Sequence, residues 1–134
     1  MSKENVEIVR CAFEAYARGG MEALMEYAAP DLVFYPDPNW MEEREYHGRD
    51  AFIAFNKMQI DVFGDFTIEV HEIRPVGEKV LALTEFVGEA TASAMPIRQQ
   101  AAHVFSDFRD GMIGEDRTFL SWDAGLKAAG LEDG

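Results

Sequence analysis

His103 and Asp116 are the side chains of this sequence best suited to moving a proton. An imidazole changes charge near neutral pH. A histidine in a pocket can therefore hydrogen-bond an enolate or take and return a proton. His103 falls mid-strand, sharing one face with Ala101 and Phe105 in a segment that alternates with period two. Asp116 falls in the next such segment. There Gly114, Asp116, Thr118 and Leu120 share one face, and Glu115, Arg117, Phe119 and Ser121 share the other. A carboxylate against apolar walls resists ionisation, which suits a general acid or base. If the two residues face each other, they form one titrating pair. The alternatives are a core histidine satisfied by a neighbour, and a one-residue slip that turns Asp116 to water.

Other chemistries lack their residues. His47, His71 and His103 lie far apart, with no His-x-x-x-His and no cysteine pair, so no metal site is expected. No G-x-G-x-x-G, Walker loop or G-x-S-x-G elbow is present, and no cofactor is expected. Cys11 reads as a small hydrophobe on a helix. As the only cysteine it can form no internal disulfide, which fits a reducing compartment, the cytoplasm.

The elements that position His103 and Asp116 follow from the apolar spacing. Val6, Val9, Phe13 and Tyr16 form a helical stripe, with Ser2 as N-cap and Gly19-Gly20 as its stop. Met21, Leu24, Met25 and Ala28 make a second short helix ended by Pro30. A strand follows at 32–35, then an irregular loop from Pro36 to Gly48. A third helix, capped by Asp50, carries Phe52, Phe55, Gln59 and Val62 on one face. Strands are expected near 66–75, 79–91, 97–108 and 112–121, with turns at Val76-Gly77-Glu78 and Arg109-Asp110-Gly111. A last short helix spans about 122–129. The order gives an α+β architecture. In the strand at 79–91, Val80, Ala82, Thr84 and Phe86 alternate with Leu81, Leu83, Glu85 and Val87. Both faces are partly apolar, which predicts helices on one and a partner subunit on the other.

Composition closes further doors. Lys and Arg number 12 against 25 Asp and Glu, a net charge of −13, so nucleic acid and anionic membrane surfaces are repelled. Hydrophobic residues make up 48% and aromatics 12%, a globular and not a disordered composition, and residues 1–134 read as one domain. The longest unbroken apolar run, Ala51 to Phe55, falls far short of the ~20 residues a membrane helix needs. The N-terminal segment carries acids where a signal peptide would be apolar.

Several segments, in this order, resemble the nuclear transport factor two-like superfamily, in its SnoaL-like and ketosteroid-isomerase-like branch. Glu7 to Gly19 resembles its opening helix, and Glu22-Ala23-Leu24 with Ala29-Pro30-Asp31-Leu32-Val33-Phe34 its second helix and first strand. Tyr46-His47-Gly48-Arg49-Asp50-Ala51 resembles the start of its third helix. Ala102-His103-Val104-Phe105, Arg109 to Ile113 and Ala124 to Leu131 resemble its final strands and tail. The resemblance implies a cone-shaped curved antiparallel sheet wrapped by three N-terminal helices around an apolar pocket, and a homodimer through the outer sheet face. It places Asp116 and Thr118 inward, and puts His103 where ketosteroid isomerases carry a protonated aspartate and polyketide cyclases a catalytic histidine. It also implies departures: the isomerase base position falls near Pro36, its tyrosine near Ala12, and a cyclase and epoxide-hydrolase aspartate falls at Thr118. Phe13, Tyr16, Tyr35, Phe55 and Met58 would wall the pocket, with hydroxyls from Tyr16 and Tyr35. Trp40, in the Pro-flanked loop, would be a lid.

The resulting expectation is a cofactor-free isomerase, cyclase or dehydratase acting on a small neutral hydrophobic molecule, with His103 and Asp116 catalytic and Thr118 in the ligand site. The alternatives are a carrier of such a molecule without chemistry, and a protein-association module using the sheet face.

Overall fold

The computed structural model describes residues 2–37, 39, 45–64, 66–89 and 96–130. The stripe begun by Val6 and Val9 lies in the first arm of α1 (Ser2–Leu24), and that arm stops at the glycine pair as expected. Gly20 takes φ +71° and ψ −157°, and the chain continues helically to Leu24. Only glycine adopts that backbone cheaply. A 3-10 turn at Met25–Tyr27 then leads into β1 (Ala28–Tyr35). The second helix therefore does not run to Pro30. Pro30 lies inside β1, in the stretch between Ala28 and Val33 where the pairing register shifts. Such an irregularity tolerates a residue without an N–H.

A short strand, β2 (Tyr46–His47), pairs with Phe34 and Val33 of β1, within the segment expected to be loop. Next, Gly48 (φ +90°) turns the chain into α2 (Arg49–Phe63). No side chain caps this helix, and Asp50 sits in its first turn instead. Arg49 fastens the start: its Nε and Nη2 donate to the Ala28 carbonyl at 2.8 and 2.6 Å. The Gly48 N–H donates to the Leu32 carbonyl at 2.7 Å.

The second half is a meander of β3 (Phe66–Val76), β4 (Lys79–Glu89), β5 (Pro96–Ser106) and β6 (Ile113–Phe119). The β5–β6 connection ends in a two-residue turn at Asp110-Gly111, with φ +52° and +76°, closed by the Arg109–Met112 bridge. Positive φ at both central residues suits the right-handed twist of paired strands. The sheet order is β2-β1-β6-β5-β4-β3. The architecture is the expected α+β curved sheet with helices, and its ends do not close. The sheet is mixed, however: β1 runs parallel to β6. No hairpin dictates their relative direction, because the whole meander separates them. The three expected N-terminal helical segments are the two arms of α1 and α2.

Alternate residues of β4 and β5 serve two faces. Inward, Val80, Ala82 and Phe105 pack with Val9, Ala12 and Leu32 among others. Outward, Leu81, Leu83, Ala102 and Val104 form a separate cluster with Trp122 and Leu126 of α3 (Trp122–Ala128). These four are 1%, 7%, 0% and 3% exposed in the single chain. The apolar patch expected to demand a partner subunit is thus covered by the chain's own last helix. Gly125 allows the approach, since a Cβ there would lie 2.2 Å from the Ala102 Cβ. Ser121 caps α3 by accepting from the Ala124 N–H at 3.1 Å, and the Trp122 indole donates to the Thr84 carbonyl at 2.9 Å.

Candidate functional site

The inner face of the sheet and the two long helices enclose a cavity of about 400 Å³. α1 contributes Ala12, Phe13 and Tyr16; α2 contributes Phe52, Phe55, Asn56 and Gln59, spaced as one helix face. On β5, alternate residues Ile97, Gln99, His103 and Phe105 line it. Ile97 is 40% exposed, whereas His103 and Phe105 are 7% and 6% exposed, so the cavity deepens along this strand. Seven phenylalanines, from both helices and from β1, β3, β4 and β5, stand in the wall.

One wall carries the polar constellation. His103 pairs in register with Thr118, and Phe105 with Asp116, so the three polar side chains meet on the inner face. The Thr118 Oγ1 lies 2.9 Å from His103 Nδ1 and donates to Asp116 Oδ1 at 3.1 Å. His103 Nδ1 lies 3.4 Å from the same carboxylate oxygen. Asp116 is 3% and Thr118 2% exposed. The far ring atom, His103 Nε2, is buried and has no hydrogen-bond partner among the described residues. Aromatic rings surround the imidazole: Phe105 stacks on it at 5.5 Å, and Phe13 and Phe86 make T-shaped contacts at 5.8 and 6.3 Å.

His103, Asp116 and Thr118 therefore come together, and Asp116 points inward with no register slip. Tyr16 and Phe55 stand in the wall, with the Tyr16 hydroxyl accepting from Asn56 Nδ2 at 3.3 Å. Tyr35 does not face the cavity. Its ring lies 4.0 Å beneath the Arg117 guanidinium on the other side of the sheet. Strand parity gives the inward place to Phe34, paired with Asp116 and stacked on Phe52 at 4.6 Å. Met58 is absent from the wall, because residues 52, 55, 56 and 59 turn it aside. Trp40 lies outside the described residues. Asp37, next to the isomerase base position, is engaged elsewhere: it accepts from the Leu120 and Asn39 N–H groups at 2.9 and 2.8 Å. Cys11 is half-buried and does not line the cavity.

Sequence reasoning did not assign Asn56 and Gln59 to the site. Their signal was present, since each interrupts the apolar arc of α2, and Gln59 is only 6% exposed. The histidine spacing also hid a local cluster. Glu69, His71 and Glu85 hold ligand-type atoms within 4.8 Å of one another on the outer face. Arg98 Nη1 already donates to both carboxylates, at 2.9 and 3.4 Å, and so takes the place a cation would occupy.

The fold recurs in solved structures. An NTF2-like protein of unknown function from Burkholderia pseudomallei matches with a TM-score of 0.75 at 19% identity, over 92% of this chain and 95% of that one. A candidate SnoaL-like polyketide cyclase from Jannaschia matches with 0.74 at 20% identity, over 98% and 95%. A hypothetical protein from Catenulispora acidiphila with a ketosteroid isomerase-like fold, in complex with trimethylamine, matches with 0.70 at 18% identity, over 93% of each chain. At these identities the likeness is one of fold. No functionally curated protein matches the sequence. The model of the SnoaL-like domain matches residues 9–115, which include His103 and stop one residue before Asp116. With that match over most of its length, the chain belongs to the SnoaL-like domain family.

Proposed function

We propose that this protein is a cofactor-independent enzyme that moves a proton on a small, neutral, largely hydrophobic molecule, in an isomerisation, cyclisation or dehydration. The observation that carries the reading is His103 Nε2, a buried polar atom without a partner among the described residues, in an apolar cavity with aromatic walls. Buried polar groups are otherwise satisfied in folded proteins, and exceptions concentrate at functional sites. A ligand that reaches Nε2 past Phe13 and Phe86 would complete its hydrogen bonding. Asp116 is the site's carboxylate, and Thr118 joins it to the ring. The Jannaschia relative, a candidate polyketide cyclase, agrees with this class of reaction. A net charge of −13 supports a neutral or cationic ligand over an anionic one.

The test is deuterium wash-in, followed by NMR, at the acidic C–H positions of 1-indanone and 2-tetralone. The wild type should accelerate exchange, and His103→Ala should lose roughly a hundredfold or more of that acceleration while keeping its fold. Ketones that bind but exchange no faster than in buffer would make the protein a carrier. The setting proposed with this activity is cytoplasmic, on the single cysteine. A homodimer through the outer face would meet on its charged part, where Glu69, Glu85 and Arg98 pair. A monomeric mass by light scattering at micromolar concentration would remove the dimer from the proposal.

A further inference from the structure

We infer that Asp116 and Thr118 hold His103 as its Nδ1–H tautomer, so that Nε2 meets the ligand as an acceptor, and that the ligand brings a hydrogen-bond donor (a hydroxyl, an N–H or an acidic C–H) to that atom. The inference rests on the proposed pocket and goes further, because it fixes the direction of the proton and the chemistry of the ligand's polar end.

The argument is an accounting of protons. A threonine hydroxyl has one proton and two lone pairs, and an ionised carboxylate only accepts. Thr118 Oγ1 lies between two partners, Asp116 Oδ1 at 3.1 Å and His103 Nδ1 at 2.9 Å. With its proton directed to the carboxylate, the hydroxyl accepts from the ring, so Nδ1 carries hydrogen. The reverse polarity would take that proton from the carboxylate. It would also set a bare Nδ1 lone pair 3.4 Å from Oδ1, acceptor against acceptor. The other end of the ring agrees. Nε2 is buried with no acceptor in reach among the described residues, so a second N–H there would be an unsatisfied donor. The neutral ring with hydrogen on Nδ1 leaves Nε2 with its lone pair.

This arrangement makes His103 the base. The ligand's proton passes to Nε2, and the bonding pair stays on the ligand as an enolate or alkoxide. The imidazolium keeps its Nδ1–H on Thr118, and the proton returns to the ligand at a second atom. Nothing is oxidised and no co-reactant is needed. His103 is then the catalytic residue. Thr118 and Asp116 are positioning residues that act through it.

The test has two arms on the full chain. In the first, the protein is labelled with 15N-histidine, and His103 is identified by the signals lost in His103→Gln. Nδ1 should resonate as a pyrrole-type and Nε2 as a pyridine-type nitrogen. Thr118→Ser should keep this pattern, and Asp116→Leu should shift it toward Nε2–H. A pyrrole-type Nε2 in the wild type, as when an N–H turns onto the Phe13 or Phe86 ring, overturns the inference, and so does a doubly protonated ring. In the second arm, calorimetry compares 2-naphthol with 2-methoxynaphthalene and naphthalene. The naphthol should bind roughly fivefold to tenfold tighter than its methyl ether, and the gap should vanish in His103→Ala. Equal binding of the ether and the naphthol overturns the donor requirement while leaving the pocket reading intact. If none of the three binds, the pocket reading fails and the donor requirement falls with it, whereas the nitrogen signature still decides the tautomer.

Discussion

Both faces of β4 and β5 carry apolar residues, and these end in opposite states. On the outer face, α3 lies directly on Leu81, Leu83, Ala102 and Val104, because Gly125 meets Ala102 with no side chain between. On the inner face, Val9 and Ala12 of α1 pack closely, but toward α2 Phe13, Phe52 and Phe55 line a cavity of about 400 Å³. Small residues close a layer and large aromatic ones prop it open. A sealed face exchanges apolar area for stability. A propped face forgoes contacts and can host a ligand. The same strands thus divide their work by residue parity.

The largest effect should come from breaking the sealed side. Leu81→Ala removes a fully buried side chain and should destabilise the fold by about 2–5 kcal/mol. Gly125→Val drives a side chain into Ala102 and should cost about 1–3 kcal/mol or lift α3 from the sheet. Urea unfolding reads both. An unchanged midpoint for either variant would mean that α3 does not seal the outer face. If α3 lifts, the uncovered patch should bind a hydrophobic dye or self-associate, which light scattering detects.

On the propped side, the same kind of truncation should cost less and change more. Phe55 is 5% exposed and packs against Phe34 and Tyr46 at 4.9 and 5.2 Å, but one side of its ring faces the cavity. Phe55→Ala forfeits contacts on the protein side only and should cost about 1–3 kcal/mol, below the range for a fully enclosed phenylalanine. It should also widen the cavity enough to favour a bulkier hydrophobic ligand over a small one. A loss of stability as large as that of Leu81→Ala, with no change in ligand preference, would place Phe55 in the core and erase the contrast.

Much of this division was legible in the sequence, and the failures have physical causes. Period-two alternation put Asp116 and Thr118 on one face, the family resemblance turned that face inward, and the register in a sheet covered on its inner face leaves little freedom. Tyr35 had no such parity to rely on. A strand read as beginning at Leu32 gives no indication which of Phe34 and Tyr35 faces in, and the pairing of Phe34 with Asp116 decides it. Met58 sits close to the correct helix face, which the sequence already draws through Phe52, Phe55 and Gln59, and Asn56 completes that face in its place. The outer patch was recognised as needing a cover, and the chain's own last helix lies over its apolar part. The last helix was read as a tail, and the decisive contact, Gly125 on Ala102, is a long-range meeting of small residues that local patterning does not reveal. The proline inside β1 escaped for a similar reason, as a local breaker that tertiary pairing overrides.

The smallest expected effect lies beyond α3, on the exposed part of the outer face. Arg98 donates to both oxygens of Glu69, at 2.9 and 3.3 Å, and its guanidinium holds the Glu69 carboxyl below the ordinary carboxylate range. A lowered native value means that the folded chain binds this proton less readily than the unfolded chain. The pair's contribution is therefore full above the ordinary glutamate value of about 4.3 and is lost as pH falls through the lowered one. Solvent screens both partners, with side chains 54% and 44% exposed, so the contribution is small even where it is full. Arg98→Ala should melt slightly below the wild type at neutral pH, and the gap should close as the solution is acidified past the glutamate range. It should shrink in high salt as well, because exposed pairs are screened. Ligand binding in the cavity should not change, since Arg98 is not among the residues that line it. A gap that stays constant with both pH and salt would show that Arg98 acts by packing its aliphatic stem on the sheet. An altered ligand affinity would show that the two faces are coupled through β5, and their separation would then be wrong.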